Sequence, residues 1–276
     1  MSRREAGRRG AGGEAVSLSL PTFRAGEIDV PFTIAGMGEL LSLDTVWEPH
    51  AHPTHELLWN LSGASTVTVG ARTWTITELH GLWVPAGVLH VGWAPAGTWY
   101  RTAHFAVNAV PALSEAPVAV EVTPLLSQLL KRLDDEALSE RSRSLTEAMV
   151  LDVLKPSGDS LLVHLPTGEL LRPVVEALTA DPGDPRSLAD WAAELGVSTR
   201  TITRAFRQET GIGFREWQAT IRAQRALLLL DSGLSVQEVA ELSGYTSQSA
   251  FAAAFRRATG SVPSRFLADP RRTVRL

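Results

Sequence analysis

The sequence predicts a two-domain α+β protein, an N-terminal β-barrel followed by an all-α C-terminal domain with two helix-turn-helix units. Three observations predict it. Short apolar runs cut by turn residues fill the chain from Val16 to about Val110. Apolar residues fall at helical spacing after Pro111. One helical pattern then occurs twice between residues 187 and 260.

Composition sets the bounds. With 276 residues, 44% hydrophobic and 20% charged, the chain is ordinary soluble globular material, long enough for two cores. It holds no run of 18 apolar residues, which excludes a transmembrane helix, and a membrane is not expected as a partner. The absence of cysteine excludes disulfides, thiolate zinc sites and a cysteine nucleophile, and suits the cytoplasm. Residues 1–15, Arg-rich but without an apolar core behind them, read as a disordered tail rather than an export signal. Charge is uneven: residues 1–169 carry 12 basic against 19 acidic side chains, residues 170–276 carry 14 against 11. So mild a basic excess suggests nucleic acid only weakly, and motifs must decide.

In the first domain, taken as 16–110, Val67 and Val69 alternate with Thr. After a Gly70-Ala71 turn, Trp74 and Ile76 alternate again, which predicts a hairpin. The six tryptophans at 47, 59, 74, 83, 93 and 99 are expected mainly in its core. Residues 111–169 read as a helical linker or dimerisation region, with amphipathic helices at 123–138 and 144–155 and a connector at 156–169. These helices are the expected dimer contacts and the expected relay between the halves.

Residues 170–276 hold the repeat. Ala192 and Ala240 each precede a glycine by four residues, Gly196 and Gly244, and Ser198, Ile202, Phe206 and Gly211 then match Ser247, Phe251, Phe255 and Gly260. A small residue lets two helices approach, glycine makes the turn, serine caps the second helix, and the i, i+4 apolar pair faces inward. The outward face is then Thr199, Arg200, Thr203, Arg204 and Arg207 in the first unit and Gln248, Ser249, Ala252, Ala253 and Arg256 in the second. The helix at 214–233 joins the two units.

This arrangement, ending in GYTSQSAFAAAFRRATGSVPSRF (244–266), resembles the AraC family of bacterial transcription regulators. The resemblance implies sequence-specific binding of double-stranded promoter DNA, with two recognition helices in successive major-groove segments. It places the base readers at Arg200 and Arg204, both suited to guanine. The matching positions of the second unit, Ser249 and Ala253, cannot make such contacts. Gln248, Ser249, Arg256 and Arg257 are therefore expected mainly to hold phosphates or to read one base, with Arg207, Arg256 and Arg257 either on phosphate or merely solvated. RNA polymerase becomes a partner if the protein activates, and a homodimer is expected.

Five of the seven histidines, His50, His52, His55, His80 and His90, fall within 41 residues. His50-Ala51-His52 with Glu56 and Gly63, and later Pro85, Gly87 and His90, resemble the two motifs of cupins, so the barrel is expected to be a cupin-like jelly roll. The resemblance implies a small effector, or a divalent metal (Zn, Mn, Fe, Ni or Cu) on His50, His52, Glu56 and His90. The same four side chains could instead be walls of an organic-ligand pocket. Two positions depart from the motif: Ala94 stands where asparagine is usual, and Gly81 lies two residues out of place. His55 and His80 are expected at the surface or in the pocket rather than as ligands. The alternative function, a metal-dependent cupin enzyme fused to a DNA-binding domain, has no further catalytic constellation behind it. A regulator rather than an enzyme is the expectation.

Overall fold

The computed structural model describes residues 15–157 and 162–267; the expected tail falls almost wholly outside them. The strands of the N-terminal half are β1 (Val16–Leu18), β2 (Ile34–Leu40), β3 (Thr45–His50), β4 (His55–Ser62), β5 (Ser65–Val69), β6 (Arg72–Ile76), β7 (His80–Val84), β8 (His90–Ala94), β9 (Trp99–Phe105), β10 (Val118–Glu121) and β11 (Leu162–His164). They form two sheets, ordered β1-β3-β8-β5-β6-β11 and β10-β7-β4-β9-β2. The expected barrel is thus a two-sheet, jelly-roll-like sandwich, because the hydrogen-bonded ladders of the two sheets run separately. The β5–β6 hairpin turns at Gly70, whose φ of 57° suits a residue without Cβ.

Alternation along the central strands sorts side chains to two faces. Leu57, Trp59, Ala103 and Phe105 point to one side. There they form a core with Leu126, Leu129, Leu130, Leu133 and Val150 from α1 (Pro124–Arg132) and α2 (Glu140–Val153). These helices therefore cover the five-stranded sheet, and each is displaced from its expected bounds. Leu125, Leu145 and Met149 remain exposed. Between the sheets, Leu58, Val67, Trp74, Ile76, Leu82 and Val84 pack together. Trp59, Trp74 and Trp83 are buried as expected, whereas Trp99 is 37% exposed.

The C-terminal half comprises α3 (Arg172–Ala180), α4 (Leu188–Glu194), α5 (Thr199–Thr210), α6 (Phe214–Asp231), α7 (Val236–Leu242), α8 (Gln248–Thr259) and a 3-10 turn (Pro263–Phe266). It has two cores. One gathers Trp191, Ile202, Phe206, Phe214 and Trp217; the other gathers Ala226, Leu227, Leu230, Val239, Phe251 and Phe255. Helix α6 contributes to both.

The described residues of the connector, from Leu162 on, are bonded to both halves. β11 adds to the edge of β6, and the Leu165 N–H donates to the Ala71 carbonyl at 2.8 Å. From the other side, the buried Trp217 indole N–H donates to the His164 carbonyl at 2.7 Å, while the amides of Thr167 and Gly168 both donate to Glu209 Oε2 at 2.8 Å. Two direct contacts join the halves as well: Gln224 Nε2 donates to the Thr73 carbonyl at 3.3 Å, and Ala64 packs in the core of the second unit. Replacing Trp217 by Phe strands the His164 carbonyl and leaves space at a fully buried site. The variant is expected to lose about 1–3 kcal/mol, measured as a lower urea midpoint at unchanged slope.

Candidate effector cavity and DNA-binding surface

His50 closes β3 and His90 opens β8, and the two are direct cross-strand partners with rings 4.3 Å apart. Pro85–Leu89 form the turn between β7 and β8. Each ring is oriented by its backbone: Nδ1 of His50 donates to the Glu48 carbonyl at 2.7 Å, and Nδ1 of His90 to the Val88 carbonyl at 3.0 Å. Both Nε2 atoms are thereby left to face inward, the arrangement that metal-binding histidines use. His52, in the turn after β3, brings Nε2 to 3.5 Å from Glu56 Oε2, and His90 Nε2 lies 3.3 Å from the same oxygen. The four motif residues therefore converge across the two sheets.

Burial raises the Glu56 carboxyl, but the imidazoles of His90, His52 and His104 outweigh it and bring the pKa down to about 2. Burial likewise depresses His52, to about 4. It would also depress His90, which the Glu56 carboxylate instead holds above the usual value. Glu56 Oε2 and His90 Nε2 are buried atoms without a hydrogen-bond partner among the described residues, although they face each other. A charged oxygen and a ring nitrogen left in this state mark a place suited to a cation. His50, His52 and His90 can each offer a ring nitrogen, all within 4.8 Å of one another. The donor set fits a divalent ion.

The site also contains a residue outside the motif. His104 on β9 is the register partner of Glu56 on β4 and stands 3.9 Å from its Oε1. Its ring is held by the hydroxyls of Thr54, at 3.0 Å from Nδ1, and Thr102, at 3.1 Å from Nε2. The signal for it was the alternation Tyr100, Thr102, His104 against the apolar Ala103 and Phe105. The other two clustered histidines stay apart. His55 is buried rather than at the surface, stacked on Trp83 with Nδ1 accepting from the Ala86 amide, and His80 is half-buried beside Thr77.

The histidine set lines one part of a cavity of about 360 Å³ between the sheets. Leu18, Leu20, Met37, Trp47, Leu58 and Tyr100 line much of the rest. The Trp47 ring lies against Gly92, where a Cβ would come within 3.0 Å of it, so glycine gives the indole its place.

In the C-terminal half each unit is punctuated alike. Ser198 accepts from the Thr201 amide at 3.1 Å and Ser247 from the Ala250 amide at 3.2 Å, capping α5 and α8. Gly196 and Gly244 turn with positive φ, and the following amides, Val197 and Tyr245, donate to Ala192 and Ala240. With Ile202, Phe206, Phe251 and Phe255 buried, α5 exposes Ser198, Thr199, Arg200, Arg204 and Arg207 and keeps Thr203 half-buried; α8 with its cap exposes Ser247, Gln248, Ser249, Arg256 and Arg257. Thr203 also back-bonds to the Thr199 carbonyl at 2.8 Å. None of these arginines forms a salt bridge among the described residues.

Comparison with known proteins agrees with both halves. Residues 43–159 match the model of the AraC-like ligand binding domain and residues 191–269 that of a helix-turn-helix domain. The transcriptional regulator NimR of Escherichia coli is 30% identical over 248 residues, covering 88% of each chain. The chain belongs to the AraC family of transcription regulators. Another relative, the regulator RipA of Corynebacterium glutamicum, is 32% identical over 213 residues, covering 76% of this chain and 61% of RipA. Among solved structures, ToxT of Vibrio cholerae aligns over 85% of this chain and 96% of its own at 12% identity and a TM-score of 0.35. As an AraC-family member the protein is a DNA-binding transcriptional regulator with a ligand-binding domain, not an enzyme. No helix among the described residues is long and apolar enough to cross a membrane.

Proposed function

We propose that the protein regulates transcription in the cytoplasm in response to a small effector bound between its N-terminal sheets, with a divalent cation held by His50, His52, Glu56 and His90. The observation that carries the cation is the buried pair Glu56 Oε2 and His90 Nε2, which face each other without hydrogen-bond partners. Such an ion would supply positive charge and an attachment point for an oxygen ligand, while His104 positions Glu56 from the opposite side. Zinc, manganese, iron, nickel and copper all suit this donor set.

On the DNA side, Arg200 and Arg204 read bases, while Gln248, Ser249, Arg256, Arg257 and Arg207 hold phosphates, and Ser198, Thr199, Thr203 and Ser247 set the approach of the two helices. The exposure of all of these but the half-buried Thr203 supports this assignment. The functional units are a sensor over 16–110, a helical region over 111–169 and a DNA-binding domain over 170–276. Leu145 and Met149, exposed one turn apart on α2, are the apolar face for a homodimer. RNA polymerase is the further partner where the protein activates. Coupling between the halves runs through the connector, since β11 is bonded both to β6 of the sensor and to Trp217 of α6.

Arg204→Ala should cost about 1–3 kcal/mol on the specific site and relax one base position, whereas Arg257→Ala should weaken specific and random DNA alike. Titration at fixed salt separates the two; equal loss on both DNAs for Arg204→Ala refutes base reading. For the cation, elemental mass spectrometry of untagged protein should find about one divalent metal per chain, lost in the His50→Ala/His52→Ala variant. Metal-free wild type after supply and desalting refutes it.

A further inference from the structure

We infer that the effector is a small aromatic molecule with a single oxygen head, of the phenol or benzoate class, and that the cavity rejects sugars and other polyols. The inference rests on the reading of the cavity as the effector site. Its warrant is the state of the polar groups in the wall. Asn60 Nδ2 donates to the Ile76 carbonyl at 3.0 Å and to Ser65 Oγ at 3.1 Å, and Ser65 Oγ returns a bond to Asn60 Oδ1 at 3.2 Å. Thr102 Oγ1 is taken by His104 Nε2. The Nδ1 atoms of His50 and His90 are spent on backbone carbonyls.

A polyol needs hydrogen-bond partners spread around its whole ring, and burying its hydroxyls without them is costly. Among the described residues that line the cavity, the buried polar atoms without a hydrogen-bond partner are Glu56 Oε2, His90 Nε2 and the donor Trp59 Nε1, and the first two sit together, 3.3 Å apart. They suit one polar head. Apart from Thr66 and Arg101, the remaining wall is mostly apolar or aromatic, with Trp47 and Tyr100 meeting edge to face at a centroid distance of 4.9 Å. Ring faces and edges so placed favour a flat apolar body. Arg101 lines the cavity but is paired with Asp134, which leaves the oxygen head to the His/Glu end, where a hydroxyl can donate to Glu56 Oε2 and a bound cation would receive an anionic oxygen. The volume of about 360 Å³ lies at the small end of organic ligand sites, enough for a substituted ring and far more than a bare ion requires.

The test is calorimetric titration of the full chain with phenol and benzoate, against glucose and ribose, in zinc-loaded and in EDTA-treated protein. Gly92→Val drives the Trp47 ring into the cavity; Met37→Trp fills the cavity from an exposed position on the edge strand β2 and keeps the test intact where the first variant fails to fold. Saturable binding of an aromatic probe, no binding of either sugar, and about tenfold or greater weakening in a folded variant is the expected result. Sugar binding without aromatic binding, or aromatic binding unchanged in both variants, overturns the ligand class and leaves the cavity as an effector site. No binding by any of the four probes overturns the class as well. Aromatic binding that survives EDTA unchanged supports the class and counts against the cation alone.

Discussion

The alternation of side chains along β4 and β9 constrains everything else in the N-terminal half. These paired strands sit at the centre of the five-stranded sheet, and each successive residue must choose a face. Leu57, Trp59, Ala103 and Phe105 take the face that α1 and α2 cover, while Glu56, Leu58, Asn60, Tyr100, Thr102 and His104 take the cavity face. A slip of one residue would exchange the two sets, driving a carboxylate and an imidazole into an apolar core. The burial of Trp59 and Phe105 under the helices therefore holds Glu56 where it meets the histidines of the opposite sheet. A stable core and a polar-ended cavity are two sides of one ladder.

The same economy joins sensor to DNA-binding domain. A three-residue strand, β11, satisfies its backbone partly through β6 and partly through Trp217, so a change in the sheet edge reaches α6 without a long chain of contacts. Because α6 packs into the cores of both helix-turn-helix units, its position sets the geometry between the two recognition helices. Arg200, Arg204 and Arg207 themselves stay open to solvent. The proposed control would therefore act by arrangement of the two units, a population shift between states, rather than by covering Arg200 and Arg204.

Much of this was legible in the sequence, for local reasons. Caps, turn glycines and inward aromatics recur in fixed order in the C-terminal repeat, and each satisfies a need of its own helix or turn. His50, His52, Glu56 and His90 were legible because three lie within one turn of chain and the fourth follows a recognisable Pro-Gly loop. His104 was not, since only the β4–β9 register brings it to Glu56. β10 and β11 were read as helical region and connector because strands of four and three residues carry too little alternation to register. Nor does helical spacing in α1 and α2 say whether the apolar face meets a sheet or another copy; most of it meets the sheet, and Leu145 and Met149 do not.

The proposed regulation requires that the His/Glu set and the recognition helices be energetically linked. The most direct measurement is titration of the full chain onto its own promoter fragment at fixed salt, zinc-loaded against EDTA-treated, repeated with His50→Ala/His52→Ala. Linkage predicts that promoter affinity differs between the two wild-type states and that the difference vanishes in the variant. Equal affinity in zinc-loaded and chelated wild type would contradict it.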